Sequence, residues 1–322
     1  MRIFIAGATG AVGRPLVSAL VGAGHSVVGL TRSPANADAI RRMGAEPVVA
    51  DGLNAGAIRA AVAAAEPEVI IHEMTDLSGA VDFRHFDRTF ANSNRLRTLG
   101  TDYLLAAARE VGVKRFIAQS FCGWTFARAN GPVKTEADPL DPDAPKELRP
   151  TLEAIRYLER SVTGSSMPEG IVLRYGSFYG PGTGTFDRAM IDQIRHRRVP
   201  LIGDGAGWWS FVHVDDAAAA TVLAIEHGKA GNIYNIVDDD PAQVSEWLPA
   251  LAGILGAKPP FHLPAWIARL AAGEHMVVMM TDVRAGSNVK ARRELGWQPA
   301  HRSWRQGFAE AAEQSFGQKS AA

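Results

Sequence analysis

The run Arg2–Ala6, R-I-F-I-A, passes directly into G-A-T-G-A-V-G, with glycines at Gly7, Gly10 and Gly13. No other feature constrains the chain as strongly. The apolar run predicts a buried strand, and Arg14–Ala23, stopped by Gly24, predicts a helix. The turn between them needs backbone freedom, close approach of a ligand to the main chain, and room for the helix to pack on the strand. Glycine supplies all three, and a helix N-terminus adds N–H donors and positive potential. The spacing is G-x-x-G-x-x-G. In a strand–turn–helix setting it implies a dinucleotide-binding loop, with Thr9, Ala11, Val12 and Arg14 sharing its surface.

The pattern repeats downstream. Strands are expected at Ser26–Leu30, Pro47–Ala50, Val69–His72, Arg115–Gln119 and Ile171–Tyr175. Helices are expected at Ala35–Arg42, Ala55–Ala65, Arg95–Val111 and Thr151–Val162. Continuous apolar strands alternating with helices predict an α/β fold, a Rossmann-type doubly wound parallel sheet covered on both faces. Beyond Gly180 the pattern is patchier. Residues 1–175 are expected to form the dinucleotide domain, with elements returning around 205–235. Residues 176–322 are expected to form mainly a smaller substrate lobe.

Composition narrows the class further. The chain has 322 residues, 47% of them apolar, which is enough for a substantial core. Its 34 basic residues balance 34 acidic ones, so no charge excess points to nucleic acid. Cys122 is the single cysteine, which suits a reducing compartment. The N-terminus lacks a signal-peptide pattern, and the apolar stretch Met276–Met280 is too short to span a bilayer. The expectation is a cytoplasmic protein with a small-molecule substrate, no nucleic-acid or membrane partner and no metal.

The strand ends carry the next clues. The second strand runs into Thr31 and Arg32 with no acidic residue before Asp38. An acid at this place accepts the ribose 2′-hydroxyl of NAD, whereas an arginine suits the 2′-phosphate of NADP. Arg32, with Arg14 as a second cation, favours NADP(H) over NAD(H). Asp51, followed by Gly52 and Leu53 after the third strand, is placed to accept the adenine amine.

Several ordered motifs resemble the extended short-chain dehydrogenase/reductases, the NAD-dependent epimerase/dehydratase group. They are G-A-T-G-A-V-G, V-I-I-H at Val69–His72, L-G-T-D-Y-L-L-A-A-A at Leu99–Ala108 and V-K-R-F-I at Val113–Ile117. L-R-Y-G-S-F-Y-G-P-G at Leu173–Gly182, F-V-H-V-D-D at Phe211–Asp216 and the C-terminal Ser287–Pro299 complete the series. The resemblance implies that Glu73, Met74 and Thr75 lie along the nicotinamide-side ribose. It implies that Gln119 faces the cofactor and that Tyr175 and Ser177 sit near the nicotinamide. It gives His72 a structural role. It also implies a homodimer through the helices Arg95–Val111 and Thr151–Val162.

The chain departs from that family where its chemistry resides. The family's Tyr-x-x-x-Lys pair is absent, and Thr151 and Ile155 stand at its two places. The usual asparagine falls at Arg97 and the usual serine at Phe121, with Ser120 adjacent. The arginine that holds a sugar nucleotide's phosphate is replaced at Trp208–Trp209. Phe121, Trp124, Thr151, Ile155, Trp208 and Trp209 are therefore expected to line an apolar substrate pocket. Ser120 or Arg97 is expected to supply a proton or hydrogen bond. The residues suggest an NADP(H)-dependent oxidoreductase acting on a small apolar or aromatic metabolite. The alternatives are a cofactor-binding sensor without turnover, or a non-redox isomerase or cyclase on the same scaffold.

Overall fold

A computed structural model describes residues 1–77 and 85–317. The first half builds β1 (Arg2–Ala6), α1 (Gly13–Gly22), β2 (Ser26–Thr31), α2 (Ala37–Arg42), β3 (Glu46–Val49), α3 (Ala55–Ala65) and β4 (Val69–His72). It continues with α4 (Phe86–Arg95), α5 (Thr101–Val111), β5 (Arg115–Phe121), β6 (Val133–Lys134), α6 (Arg149–Thr163) and β7 (Glu169–Tyr175). The second half holds β8 (Ser177–Tyr179), α7 (Arg188–Arg195), β9 (Leu201–Ile202), β10 (Trp208–Trp209), β11 (Phe211–His213), α8 (Val214–His227) and β12 (Asn232–Ile236). It ends with β13 (Ala242–Gln243), α9 (Val244–Ile254), β14 (His262–Leu263), α10 (Ala265–Ala272), α11 (Glu274–Thr281), β15 (Ala285–Gly286), α12 (Val289–Leu295) and α13 (Trp304–Gly317).

Seven strands form the main sheet in the order β12-β7-β5-β4-β1-β2-β3. All its pairings are parallel. The order reverses at β1, and in such sheets ligands bind beyond the carboxyl ends of the strands at that switch. Alternation along each strand splits the core. Ile3, Ile5, Ile71 and Ile117 pack on one face with Leu16, Val17 and Leu20 of α1 and Ala217 and Ala224 of α8. Phe4, Ala6, Ile70 and Phe116 pack on the other with Ile58, Val62, Leu104 and Leu158. Helix α8 and strand β12, late in sequence, thus belong to the dinucleotide unit. Phe211, Trp247, Leu251, Trp304 and Phe308 centre the core of the C-terminal lobe.

The expected helix Arg95–Val111 differs in structure. Helix α4 begins at Phe86, and a π-helical turn over Leu96–Gly100 joins it to α5. Such turns recur at functional sites because they turn a side chain off the regular helical face. Leu96 and Arg97 of that turn are both buried, Arg97 being only 8% exposed.

Candidate active site

The glycine loop is shaped for close approach. Gly7 has φ +102°, and a Cβ there would lie 2.6 Å from the Glu73 carbonyl oxygen. A Cβ on Gly13 would lie 2.2 Å from the Gly7 carbonyl oxygen. Helix α1 starts at Gly13 without a side-chain cap and with no acid in its first turn. Its free N–H groups and dipole suit a diphosphate, so the residues present fit a dinucleotide. Thr9 and Ala11 are half-buried beside the exposed Gly10, and Val12 is buried. Arg14 is exposed and its Nε donates to the Thr9 carbonyl at 3.0 Å.

At the end of β2 Thr31 is buried, its Oγ1 accepting from the Ser33 N–H. The Arg32 side chain is 60% exposed and meets Asp76 through both terminal nitrogens, at 3.0 and 3.3 Å. Asp76 also accepts from Asn92 Nδ2 at 2.6 Å. Nothing local to Arg32 marks this partner, which comes from beyond the β4 end. Asp51 closes a local turn through the Leu53 N–H, and Gly52 is buried against the Met74 sulfur. Thr75 is exposed.

The backbone of Glu73 lines the glycine loop, but its side chain turns into the core. Glu73 Oε1 accepts from the Tyr175 hydroxyl at 3.1 Å, and that hydroxyl meets Thr221 Oγ1 at 2.6 Å. Burial pushes the Glu73 carboxyl up to about 8, against the pull of the Tyr175 bond. It is neutral near pH 7 and adds no negative charge beneath the loop. Tyr175, expected beside the nicotinamide, is fully buried and committed to this core contact. Gln119 and Ser177 are half-buried near the ends of β5 and β7.

Ser120 is also placed differently from expectation. Its hydroxyl donates to Glu159 Oε1 at 2.7 Å. Glu159 in turn receives Arg174 Nε and Nη2, each at 2.7 Å. Ser120 and Arg174 are neighbours across β5 and β7 under α6, so the sheet face dictates the triad. Its hydroxyl is therefore engaged in a buried ion pair and does not face an acceptor.

A second polar cluster is organised by α4 and α6. Thr151 Oγ1 accepts from Asn94 Nδ2 at 2.9 Å, and Asn94 Oδ1 accepts from Arg97 Nη1 at 3.2 Å. Further along, the Tyr157 hydroxyl donates to Asp102 at 2.8 Å. The contacts advance together, so the two helical segments run side by side in one direction. Ile155 is buried one turn beyond Thr151, at the level of Arg97. Tyr157 ties α6 to α5 away from this face. His72 Nε2 lies 3.2 Å from the Leu96 carbonyl, which fixes the π-turn against the end of β4. Burial pushes His72 down to about 4, and the Arg97 charge adds to the effect. His72 is a neutral strut.

Aromatic rings stand beside this cluster. Phe86 stacks on Phe90 at 4.2 Å and meets Trp124 edge-on at 5.5 Å. Trp124 lies 6.1 Å from Phe121, at the family's serine place. Phe86, Phe90 and Asn94 are spaced by four and share one face of α4. That spacing is a signal legible in the sequence, and it lies upstream of the helix expected to start at Arg95. Trp209 lies elsewhere. It packs on Phe211 and Trp247 in the lobe core, and its Nε1 donates to the Met279 carbonyl at 3.0 Å. Trp208, half-buried, pairs with Gln243 across β10 and β13. The expected tryptophan wall is thus part of the lobe's own packing, and the rings next to Thr151 come from α4 and the β5 end. Among the described residues no cluster has the makings of a metal site, and no helix is long and apolar enough to cross a membrane.

A glycine loop at a Rossmann switch point, with a polar cluster at the far strand ends, defines a nicotinamide-dinucleotide enzyme. Residues 3–237 match the model of the NAD dependent epimerase/dehydratase family, and the chain belongs to that family. It is 43% identical to a Streptomyces 3-diazoavenalumate denitrifying reductase, over 96% of this chain and 99% of that one. It is 29% identical to a Stigmatella aurantiaca ketoreductase of a farnesyl dihydroquinoline oxide, over 92% of each. Its fold is similar to UDP-glucose 4-epimerase of Thermotoga maritima, with TM-score 0.78, 22% identity and full coverage of both chains. The chain is an oxidoreductase of the extended short-chain dehydrogenase/reductase group.

Proposed function

We propose that the protein is an NADP(H)-dependent reductase that delivers hydride to an aromatic acceptor without a protein-borne general acid. The observation that carries this reading is the Thr151–Asn94–Arg97 chain, with Thr151 at the family's tyrosine place and the apolar Ile155 at its lysine place. A threonine hydroxyl and an amide are poor acids near neutral pH. Burial lowers Arg97 only to about 10, so it keeps its proton. When bound, the nicotinamide supplies the hydride. The chain's own work is to hold the diphosphate on α1, to place an aromatic ring beside the half-buried Phe90, Phe121 and Trp124, and to keep a positive charge near the reacting centre.

An acceptor that needs no proton fits such a site. Hydride addition to the ring carbon of an arenediazonium forms a C–H bond. The C–N bond breaks, and its electron pair leaves with dinitrogen. Charge and atoms balance with no proton added. The relative whose printed activity combines a diazo compound, loss of nitrogen and reduction supports this acceptor class. Arg32 at the end of β2 supports NADP(H) over NAD(H). The reading extends to a homodimer through α4–α5 and α6, where Leu99 is 38% exposed; light scattering at the size of one chain would contradict that extension.

The test measures NADPH oxidation and nitrogen release with arenediazonium salts, beside enones, imines and aryl ketones. Equimolar oxidation and nitrogen release, faster with NADPH than NADH, is expected. Cofactor binding without oxidation by any of these acceptors contradicts the proposal.

A further inference from the structure

Among the described residues two arginines, Arg97 and Arg174, are deeply buried near the strand ends, and they differ in one respect. Arg174, 4% exposed, is neutralised by a two-point contact with Glu159. Arg97, 8% exposed, makes one side-chain hydrogen bond, and its partner is the neutral Asn94 amide. Among the described residues no carboxylate pairs with Arg97, and His72 beside it is uncharged. An unpaired buried guanidinium is costly, because no anion offsets the loss of its hydration. It also has more donors than one amide oxygen can use.

Its position says what would satisfy it. Arg97 reaches back one turn toward Asn94, toward the N-terminal end of the helix. In a parallel α/β sheet that is the end nearest the carboxyl edges of the strands, where the ligand lies. The Phe86–Phe90–Asn94 face leads from the aromatic cluster to this guanidinium. Thr151 stands on the same polar chain, accepting from the Asn94 amide that holds Arg97.

Resting on the reductase reading above, we infer that Arg97 receives an oxyanion carried by the aromatic acceptor, a ring-linked carboxylate or phenolate. The rings hold the aryl group, and the guanidinium fork holds the oxyanion. The same contact neutralises Arg97 and sets the acceptor's orientation. Arg97 is on this account a substrate-binding residue with no part in proton transfer.

The test uses the NADP⁺-loaded protein, so that binding is read without turnover. Calorimetry compares trans-cinnamate with its methyl ester, and 4-nitrophenolate with 4-nitroanisole near pH 8, where Arg97 keeps its proton, to separate the two oxyanion sources. Wild type should bind cinnamate at least about tenfold more tightly than the ester, the scale of one charge-assisted contact. Arg97→Gln should erase that ratio and leave the cofactor Kd within about twofold; Arg97→Lys should keep part of it. Equal binding of acid and ester by wild type, or binding of neither, overturns the inference. So does an Arg97→Gln protein that loses cofactor affinity but keeps the acid-to-ester ratio, since the cation would then serve the ribose. Should Arg97→Gln not fold, the wild-type and Arg97→Lys ratios decide alone. Failure of the wild type to bind any nicotinamide cofactor contradicts the reductase reading instead, which keeps the two claims separable.

Discussion

The two ends of the cofactor cleft obey different rules. At the β1–α1 end, backbone does the work, and glycines at Gly7 and Gly13 are demanded by contacts of 2.6 and 2.2 Å. At the α4–α6 end, side chains do the work: Thr151 holds the Asn94 amide, and that amide holds the Arg97 guanidinium. A backbone site tolerates few sequences because its contacts cannot be rebuilt by another side chain. A side-chain site can change its chemistry while the helices around it keep their places. The binding function is held fixed while the reaction is free to change.

The largest expected effect breaks the first end. Gly13→Ala forces a methyl into the Gly7 carbonyl, and overpacking against backbone costs about 1–3 kcal/mol or more. NADPH affinity should fall by at least about tenfold, measured by fluorescence titration. Unchanged affinity would mean that the loop is not the diphosphate cradle.

The second prediction separates scaffold from chemistry at the other end. Glu159→Gln leaves Arg174 without its anion, and breaking a buried pair costs about 3–5 kcal/mol. Thermal unfolding should show a large loss. Ser120→Ala removes only one hydrogen bond to that pair and should lower stability by about 1 kcal/mol. Its turnover should stay close to wild type. A Ser120→Ala protein of normal stability and much reduced turnover would return Ser120 to the chemistry.

The boundary between what sequence reveals and what it hides follows the same division. The glycine spacing, the alternating strands and Arg32 at the β2 end were all legible, because backbone demands leave a local signature. The fate of Ser120 was not, since it depends on Arg174 standing opposite it across two strands. Asp76 beside Arg32 lies 44 residues away, and nothing local pairs them. Trp209 reads as a pocket residue by motif position, yet Phe211 and Trp247 claim its ring. Arg97 was singled out for falling where an asparagine is usual. Its isolation from any carboxylate needed the folded neighbours.

Protons give the third test. The Glu73 carboxyl titrates at about 8 when folded, against an ordinary 4.5. Between these values the folded chain binds more protons than the unfolded one, so this group's contribution to stability is lost as pH rises toward about 8. Asp238, pushed up to about 8 by burial, acts in the same sense. Glu73→Gln should flatten the slope, which reaches at most about 1.4 kcal/mol per pH unit for one group. Denaturant titrations across this range read it directly. An unchanged slope in Glu73→Gln would mean that the carboxyl is ionised in its core contact with Tyr175.

The smallest effect concerns Asp76. It occupies the fork of Arg32 at an exposed site, and such pairs contribute about 0–1 kcal/mol. Asp76→Asn should therefore leave stability nearly unchanged and tighten NADPH binding several-fold without helping NADH. Arg32→Asp should weaken NADPH by about 1.5–3 kcal/mol. Parallel gains for both cofactors in Asp76→Asn would show that Arg32 does not meet a 2′-phosphate.

The central claim is that hydride leaves for the acceptor without a proton from the protein. Its most direct test is single-turnover oxidation of bound NADPH by an arenediazonium carboxylate, followed over a span of about pH 6–9 in H₂O and D₂O. The account predicts a rate constant flat with pH, a primary isotope effect from deuterated NADPH, and none from solvent. A rate that follows a single ionisation, carries a solvent isotope effect and disappears in Tyr157→Phe would contradict it and restore a tyrosine acid.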